Sequence, residues 1–158
     1  MDKTNAMRIL DQKKIPYLTH EYPHDGDLCV IGTDVARLLN QDPNKVFKTL
    51  VTTYNNHYYV CVIPVSSELD LKKAASYFKV KSLDMVHVKD LLGITGYIRG
   101  GCSPIGMKKS FDTIVDESIL KYDSIIFSGG KIGLQIEMKP KDLERVIKVR
   151  FLNIIREG

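Results

Sequence analysis

The amino-acid sequence predicts an α+β fold: a strongly curved, barrel-like mixed β-sheet of about seven strands with about five short helices packed outside it. Two observations lead there. Apolar strand-like segments close on each other through short turns, as in Tyr54-Asn55-Asn56-His57. Short helical segments interrupt these pairs without alternating strictly with them, which disfavours a doubly wound parallel sheet.

Ala6 to Lys14 has helical apolar spacing at Ala6, Ile9 and Leu10, with Thr4 or Asn5 as cap and Pro16 as stop. Tyr17 to Tyr22 alternates, placing Leu18, His20 and Tyr22 on one side of a strand. Asp25-Gly26-Asp27 reads as a turn, and Thr33 as the cap of a helix over Asp34 to Leu39. Val46 to Tyr54 and His57 to Pro64 form a hairpin. The near-continuous apolar run of the second strand predicts a central position, buried on both faces. Asp70 caps a helix over Leu71 to Phe78 whose buried stripe is Leu71, Ala74, Ala75 and Phe78. Val80 to Ser82 reads as a short strand, and Val88 to Leu92 as a helix stopped by Gly93.

Phe111 to Val115 is a strand and Glu117 to Lys121 a helical turn. Asp123 to Ser128 and Ile132 to Met138 pair through Ser128-Gly129-Gly130-Lys131. Leu134, Ile136 and Met138 alternate with Gln135 and Glu137, so the second of these strands is read as half-buried. Pro140 opens a helix continuing over Asp142 to Ile147, and Val149 to Ile155 reads as a strand or a helical turn.

The 158 residues are 44% hydrophobic and 27% charged, with a net charge of +4. Those values suit one globular domain over residues 1–158 and permit an anionic partner without requiring one. Cys29, Cys61 and Cys102 are odd in number and lack CxxC spacing, which points to reduced thiols and a cytoplasmic setting. No signal-peptide or membrane-spanning pattern is present. GxGxxG, Walker A, HExxH and GxSxG patterns are absent as well, so nothing implies a cofactor or a catalytic metal. His20 and His24 stand four apart, but Pro23 intervenes in an extended segment, where that spacing does not converge on a metal.

The stretch Gly96 to Lys109 concentrates four of the eleven glycines, with Pro104 and a basic pair. Paired glycines let a main chain approach a ligand and aim its N–H groups inward. The same composition suits a tight connection between strands. Lys48 also reads two ways. It is either a solvated strand lysine or a cation held on a rigid strand for a phosphate or a carbonyl oxygen. Cys102 lies within the glycine-rich loop, but no histidine beside it in sequence could serve as its base.

Val46-Phe47-Lys48-Thr49-Leu50, Gly96 to Pro104 and Ser128 to Leu134, in this order, resemble the YbaK family. Tyr22-Pro23-His24-Asp25 and Leu69 to Lys73 share the likeness, which covers about residues 5 to 155. Relatives of that family include the editing domain inserted in bacterial prolyl-tRNA synthetases. The resemblance implies a free-standing deacylase of mischarged aminoacyl-tRNA, chiefly Cys-tRNA(Pro), acting on the acceptor end without a cofactor. It implies complex formation with prolyl-tRNA synthetase too. Lys48 matches the family's essential lysine, and Gly100 to Pro104 its G-x-x-x-P loop, placing Lys48, Gly100 and Gly101 in the catalytic role. Tyr22, Cys102, Ser103, Pro104, Ser128, Gly129 and Gln135 fall in the substrate pocket by the same likeness.

Gln135 stands where YbaK proper often has Asp, and an amide cannot accept a proton or pair with an ammonium as a carboxylate does. Cys102 occupies a loop position that is apolar in relatives. The expected chemistry is attack by the substrate's own thiol on its ester. The alternatives are removal of alanine or another amino acid by water, and a tRNA- or synthetase-binding module without catalysis.

Overall fold

Eight strands fall into two sheets in the computed structural model, which describes residues 2–26 and 30–157. Helix α1 (Asn5–Gln12) is capped by the Thr4 hydroxyl, which accepts from the Met7 N–H at 3.3 Å. Strand β1 (Leu18–Glu21) and helix α2 (Gly32–Leu38) follow. The hairpin β2 (Phe47–Tyr54) and β3 (His57–Pro64) turns on Asn55 and Asn56. Both asparagines are left-handed, at φ 53° and 63°, the geometry that matches the twist of paired strands. Asp70 caps α3 (Leu71–Phe78) through bonds from the N–H groups of Lys72 and Lys73.

Strand β4 (Asp84–Met85), helix α4 (Val88–Thr95) and strand β5 (Asp112–Asp116) come next. A 3₁₀ turn over Glu117–Lys121 leads to β6 (Ile125–Lys131), paired with β7 (Leu134–Met138). A second 3₁₀ segment, Pro140–Arg145, precedes β8 (Val149–Leu152).

The larger sheet runs β4-β2-β3-β5-β8 and the smaller β1-β7-β6. The pairing is mixed: β3, β5 and β8 are parallel neighbours, and the other pairs are antiparallel. The sheets touch through one parallel bridge, Val46 with Ile126. The expectation of a single barrel-like sheet is thereby reduced to a mixed α+β fold with two sheets, and no ladder closes them among the described residues. At the end of β5 the buried Asp116 carboxylate accepts from the N–H groups of Ser118 and Ile154, both at 3.1 Å.

The principal core lies between the sheets, where Phe47, Val51, Val60 and Val62 meet Phe127, Leu134 and Ile136, with Leu10 of α1 closing one end. On the opposite face of β3, Cys61 and Ile63 pack with Ala74, Ala75 and Phe78 of α3. The central position read from the β3 sequence is therefore observed. Ala36 of α2 covers Val46, Val65 and Ile126 at the junction of the sheets.

Several local boundaries differ from the sequence reading. Val80 to Ser82 is not a strand, and the short pairing falls at Asp84–Met85 instead. α4 runs through Gly93 to Thr95 and ends on Gly96, whose φ of 89° provides the left-handed exit. Thr33 lies inside α2, with Ile31 at the cap position. The Pro140 segment is a 3₁₀ helix ending at Arg145. Among the described residues, no helix is long and apolar enough to cross a membrane.

Candidate functional site

A cavity of about 430 Å³ opens where the two sheets meet. β2 supplies Lys48 to its wall. Lys48 follows Val46, which is buried under α2, and precedes Leu50, which packs toward the second core. The ammonium group is thus carried by a strand anchored on both sides. The Lys48 ammonium has no ion-pair or hydrogen-bond partner among the described residues.

The opposite wall is the turn Ile98–Gly101. Gly100 lines the cavity at φ 84°, a backbone angle that favours glycine. Gly101 does not line it. Its N–H already donates to the Ile98 carbonyl at 3.0 Å, which closes the turn. A Cβ on Gly101 would stand 2.8 Å from the Lys131 Cα, so glycine is needed there for close approach to the β6–β7 corner. Of the two glycine N–H groups expected to aim inward, that of Gly101 is therefore engaged within the turn.

The remaining loop residues divide in the same manner. Cys102 lines the cavity, whereas Ser103 and Pro104 are buried behind it. The Ser103 hydroxyl accepts from the Ile105 N–H at 3.2 Å, and the Tyr97 hydroxyl donates to the Ile105 carbonyl at 2.7 Å. These bonds set the loop shape from within. Burial pushes the Cys102 thiol up to about 12, so it stays protonated near neutral pH and is a poor nucleophile. Cys29, expected reduced like the other two cysteines, lies outside the described residues.

The small sheet supplies the floor. Ser128 of β6 and Gln135 of β7 are register partners, and both line the cavity. His20 of β1 is the next partner of Gln135 along the same rung. Gln135 is 5% exposed and its side-chain amide has no hydrogen-bond partner among the described residues, leaving it to the cavity. The sequence reading had this strand half-buried. Its polar face is instead covered, by the cavity wall at Gln135 and by polar neighbours at Glu137. Gly129 lies outside the lining, and its carbonyl accepts the Thr4 hydroxyl, which ties α1 to β6. Tyr22 completes the floor and is buried to 5%.

Lys48, Gly100, Tyr22, Cys102, Ser128 and Gln135 therefore converge, while Gly101, Ser103, Pro104 and Gly129 support them from behind. Sequence reasoning left out Arg99 and the α2 segment Ile31, Gly32 and Val35, which also line the cavity. Arg99 stood within the quoted loop, and its position beside two glycines was the available signal. No comparable cue marked α2.

No Asp, Glu or His appears among the described residues of the lining. The nearby titratable groups are spoken for. His20 Nε2 lies 2.7 Å from Glu137 Oε1, and Lys45 Nζ lies 3.4 Å from Glu137 Oε2, which also accepts from the Ser124 hydroxyl. Burial pushes the Glu137 carboxyl up, but the bonds from Ser124, His20 and Lys45 outweigh it and hold the group below its ordinary range. His24 Nδ1 faces the Gly26 carbonyl at 2.8 Å. The two histidines thus serve different partners.

The cavity thus combines an unpaired strand-borne cation and a glycine turn with a lining that, among its described residues, holds no Asp, Glu or His. The fold matches, over 100% of both chains, a crystal structure described as a candidate trans-editing enzyme for prolyl tRNA synthetase, with a TM-score of 0.82 at 20% identity. The chain belongs to the aminoacyl-tRNA editing domain family, whose model matches residues 31–146. It is 46% identical over 153 residues to EbsC of Enterococcus faecalis (strain ATCC 700802 / V583), named as a candidate Cys-tRNA(Pro)/Cys-tRNA(Cys) deacylase. That match covers 96% of this chain and 93% of EbsC. A proline–tRNA ligase of Syntrophus aciditrophicus (strain SB) is 24% identical over 98 residues, 62% of this chain and 17% of that enzyme. The YbaK resemblance read from the motifs agrees with these relationships.

Proposed function

We propose that this chain is a trans-editing deacylase that strips the amino acid from mischarged tRNA, Cys-tRNA(Pro) foremost. The observation that carries the reading is that Lys48 and Gly100 face one cavity that holds no general base among its described residues. The 46% identity to a protein named for this activity supports the substrate class.

In this reading the acyl ester of the terminal adenosine enters between β2 and the Ile98–Gly101 turn. The Lys48 ammonium holds the terminal phosphate or polarises the ester carbonyl. The Gly100 N–H has no partner among the described residues and meets the carbonyl oxygen as negative charge builds on it. A donor so placed lowers the barrier by roughly 3 kcal/mol. The thiol of the cysteinyl group loses its proton, and its sulfur attacks the carbonyl carbon. The ester C–O bond breaks, the ribose hydroxyl leaves with a proton, and the amino acid departs as a cyclic thiolactone. Holding sulfur and carbonyl in attack geometry is then the protein's main contribution. Alanyl and other substrates lack the thiol and need water, which the lining leaves without a base.

The chain acts in this reading as one domain over residues 1–158, in the cytoplasm and in complex with prolyl-tRNA synthetase. A deacylation panel of Cys-, Ala-, Ser- and Pro-tRNA(Pro), with the released product identified, tests the proposal. Selective loss of cysteine as thiolactone is expected. Salt-sensitive tRNA binding with no amino acid released from any substrate would instead make the chain a binding module.

A further inference from the structure

A second hollow of about 400 Å³ adjoins the candidate site. The same three segments wall both spaces. Tyr22 lines the first and His24 the second, Gly100 the first and Ile98 the second, and Ser128 the first and Gly130 the second. The Tyr22 and His24 rings, one in each lining, stand 6.4 Å apart between centroids, so the two hollows are neighbours.

The second compartment combines apolar surface with positive charge. Leu92 is 52% exposed and Ile98 is 38% exposed, an unusual pair of open aliphatic side chains side by side in one groove. The His24 imidazole stands with them, oriented by its bond to the Gly26 carbonyl. Lys131 lines the groove, and Arg99 stands next to Ile98 on the first compartment's wall. Neither cation has an ion-pair partner among the described residues. The stem of Lys108 runs close to Gly96 of the groove, and its ammonium reaches the Gly93 carbonyl at 3.3 Å. No Asp or Glu appears among the described residues of its lining.

We infer that this groove receives the nucleotide immediately preceding the terminal adenosine of the tRNA acceptor end. Its base packs on Leu92, Ile98 and the His24 ring, and its phosphate faces Lys131. Single-stranded RNA is held in this manner, by sequence-tolerant packing of base faces beside cations that follow the backbone. The inference rests on the proposed deacylase reading, because it takes the terminal adenosine to sit by Lys48. Proximity to that cavity and the unpaired cations favour an RNA strand over a protein segment as occupant.

The test uses the full chain and two substrates: Cys-tRNA(Pro), and cysteinyl-adenosine, which lacks the preceding nucleotide. His24→Ala, Ile98→Ala and Lys131→Ala should each lower the ratio of kcat/KM for the tRNA over that for the short substrate. A fall of about five- to tenfold is expected, carried by KM. A tRNA abasic at the preceding position should lose the same factor with the wild-type chain and lose little more with His24→Ala. Fluorescence anisotropy with an uncharged acceptor-stem minihelix, intact or abasic there, reads the groove independently of catalysis. Equal binding of the two minihelices, or an unchanged substrate ratio in all three variants, overturns the inference. Variants that weaken only binding to prolyl-tRNA synthetase overturn it in favour of a protein interface. Failure to deacylate either substrate, with discrimination between the minihelices retained, would refute the deacylase reading and leave the groove standing.

Discussion

Gly101 lies against Lys131 so closely that a Cβ would stand 2.8 Å from the lysine's Cα. This backbone contact locks the cavity-facing turn to the corner of β6 and β7, so the position of Gly100 depends on a residue that never touches the cavity. Gly101→Ala must separate the two segments. Overpacking of this kind costs about 1–3 kcal/mol. A lower thermal midpoint is expected, and kcat for deacylation should fall more than the stability loss explains. A fully active Gly101→Ala protein would show that the turn does not set the site.

Lys48 is the opposite case, a residue with a site role and little structural one. It has no partner to lose, so Lys48→Ala should change stability by only about 0.5 kcal/mol. Deacylation of Cys-tRNA(Pro) should drop by about 10²-fold or more, as when an electrostatic contact to a developing charge is removed. Circular dichroism and single-turnover kinetics on the same preparation separate the two effects. Turnover near the wild-type rate would remove Lys48 from the mechanism.

Local chemistry was legible in the sequence, and long-range placement was less so. Asn55-Asn56 and Asp70 announced a hairpin and a helix cap because turn and cap preferences act over a few residues. Gly93 was misread as a helix stop. With Gly96 providing the left-handed exit three residues later, the helix can continue through it. The division into two sheets rests on pairings between strands far apart in the chain, such as β1 with β7, which no local pattern encodes. At the candidate site, the motifs placed Lys48, Gly100, Ser128 and Gln135 in a common pocket. They could not distinguish Gly100 from Gly101, because the Gly101 bond to Ile98 belongs to the folded turn.

Cys102 lines the cavity but should not act as a nucleophile. Its thiol is pushed up to about 12 by burial, so the reactive thiolate is scarce at neutral pH. Iodoacetamide should leave Cys102 unmodified in the folded protein and label it after denaturation, as read by peptide mass spectrometry. Cys102→Ala should keep kcat within about threefold while losing some packing energy. Loss of all turnover in a stably folded Cys102→Ala protein would revive the nucleophile.

Glu137 gives the fold an acid-sensitive component. Its folded carboxyl titrates below the ordinary value of 4.5, because Ser124, His20 and Lys45 outweigh the effect of burial. A depressed carboxyl pKa stabilises the protein fully above that ordinary value, and the stabilisation is lost as the pH falls through the folded value. Urea unfolding at intervals from about pH 6 to about pH 3 should therefore show declining stability. Glu137→Gln should begin less stable and decline less over that range. Parallel curves for the two proteins would mean that the carboxylate contributes nothing to acid sensitivity.

Gln135 and the substrate's own thiol can be separated by a comparison of substrates. Ser-tRNA(Pro) differs from Cys-tRNA(Pro) by one atom and fits the same cavity, but a hydroxyl is a far weaker nucleophile than a thiolate near neutral pH. If the substrate attacks itself, the serinyl ester should react at least about 10²-fold more slowly, with KM little changed. Gln135→Leu keeps the side chain's bulk and removes an amide from the cavity floor. It should raise KM for both substrates alike, by about tenfold for a lost polar contact, while leaving the Cys/Ser ratio of kcat in place. Binding and chemistry would then lie on different atoms, with Gln135 serving the first and the bound thiol the second. A Cys/Ser ratio near one in the wild-type protein would instead require water as the attacking group and a base outside the described lining.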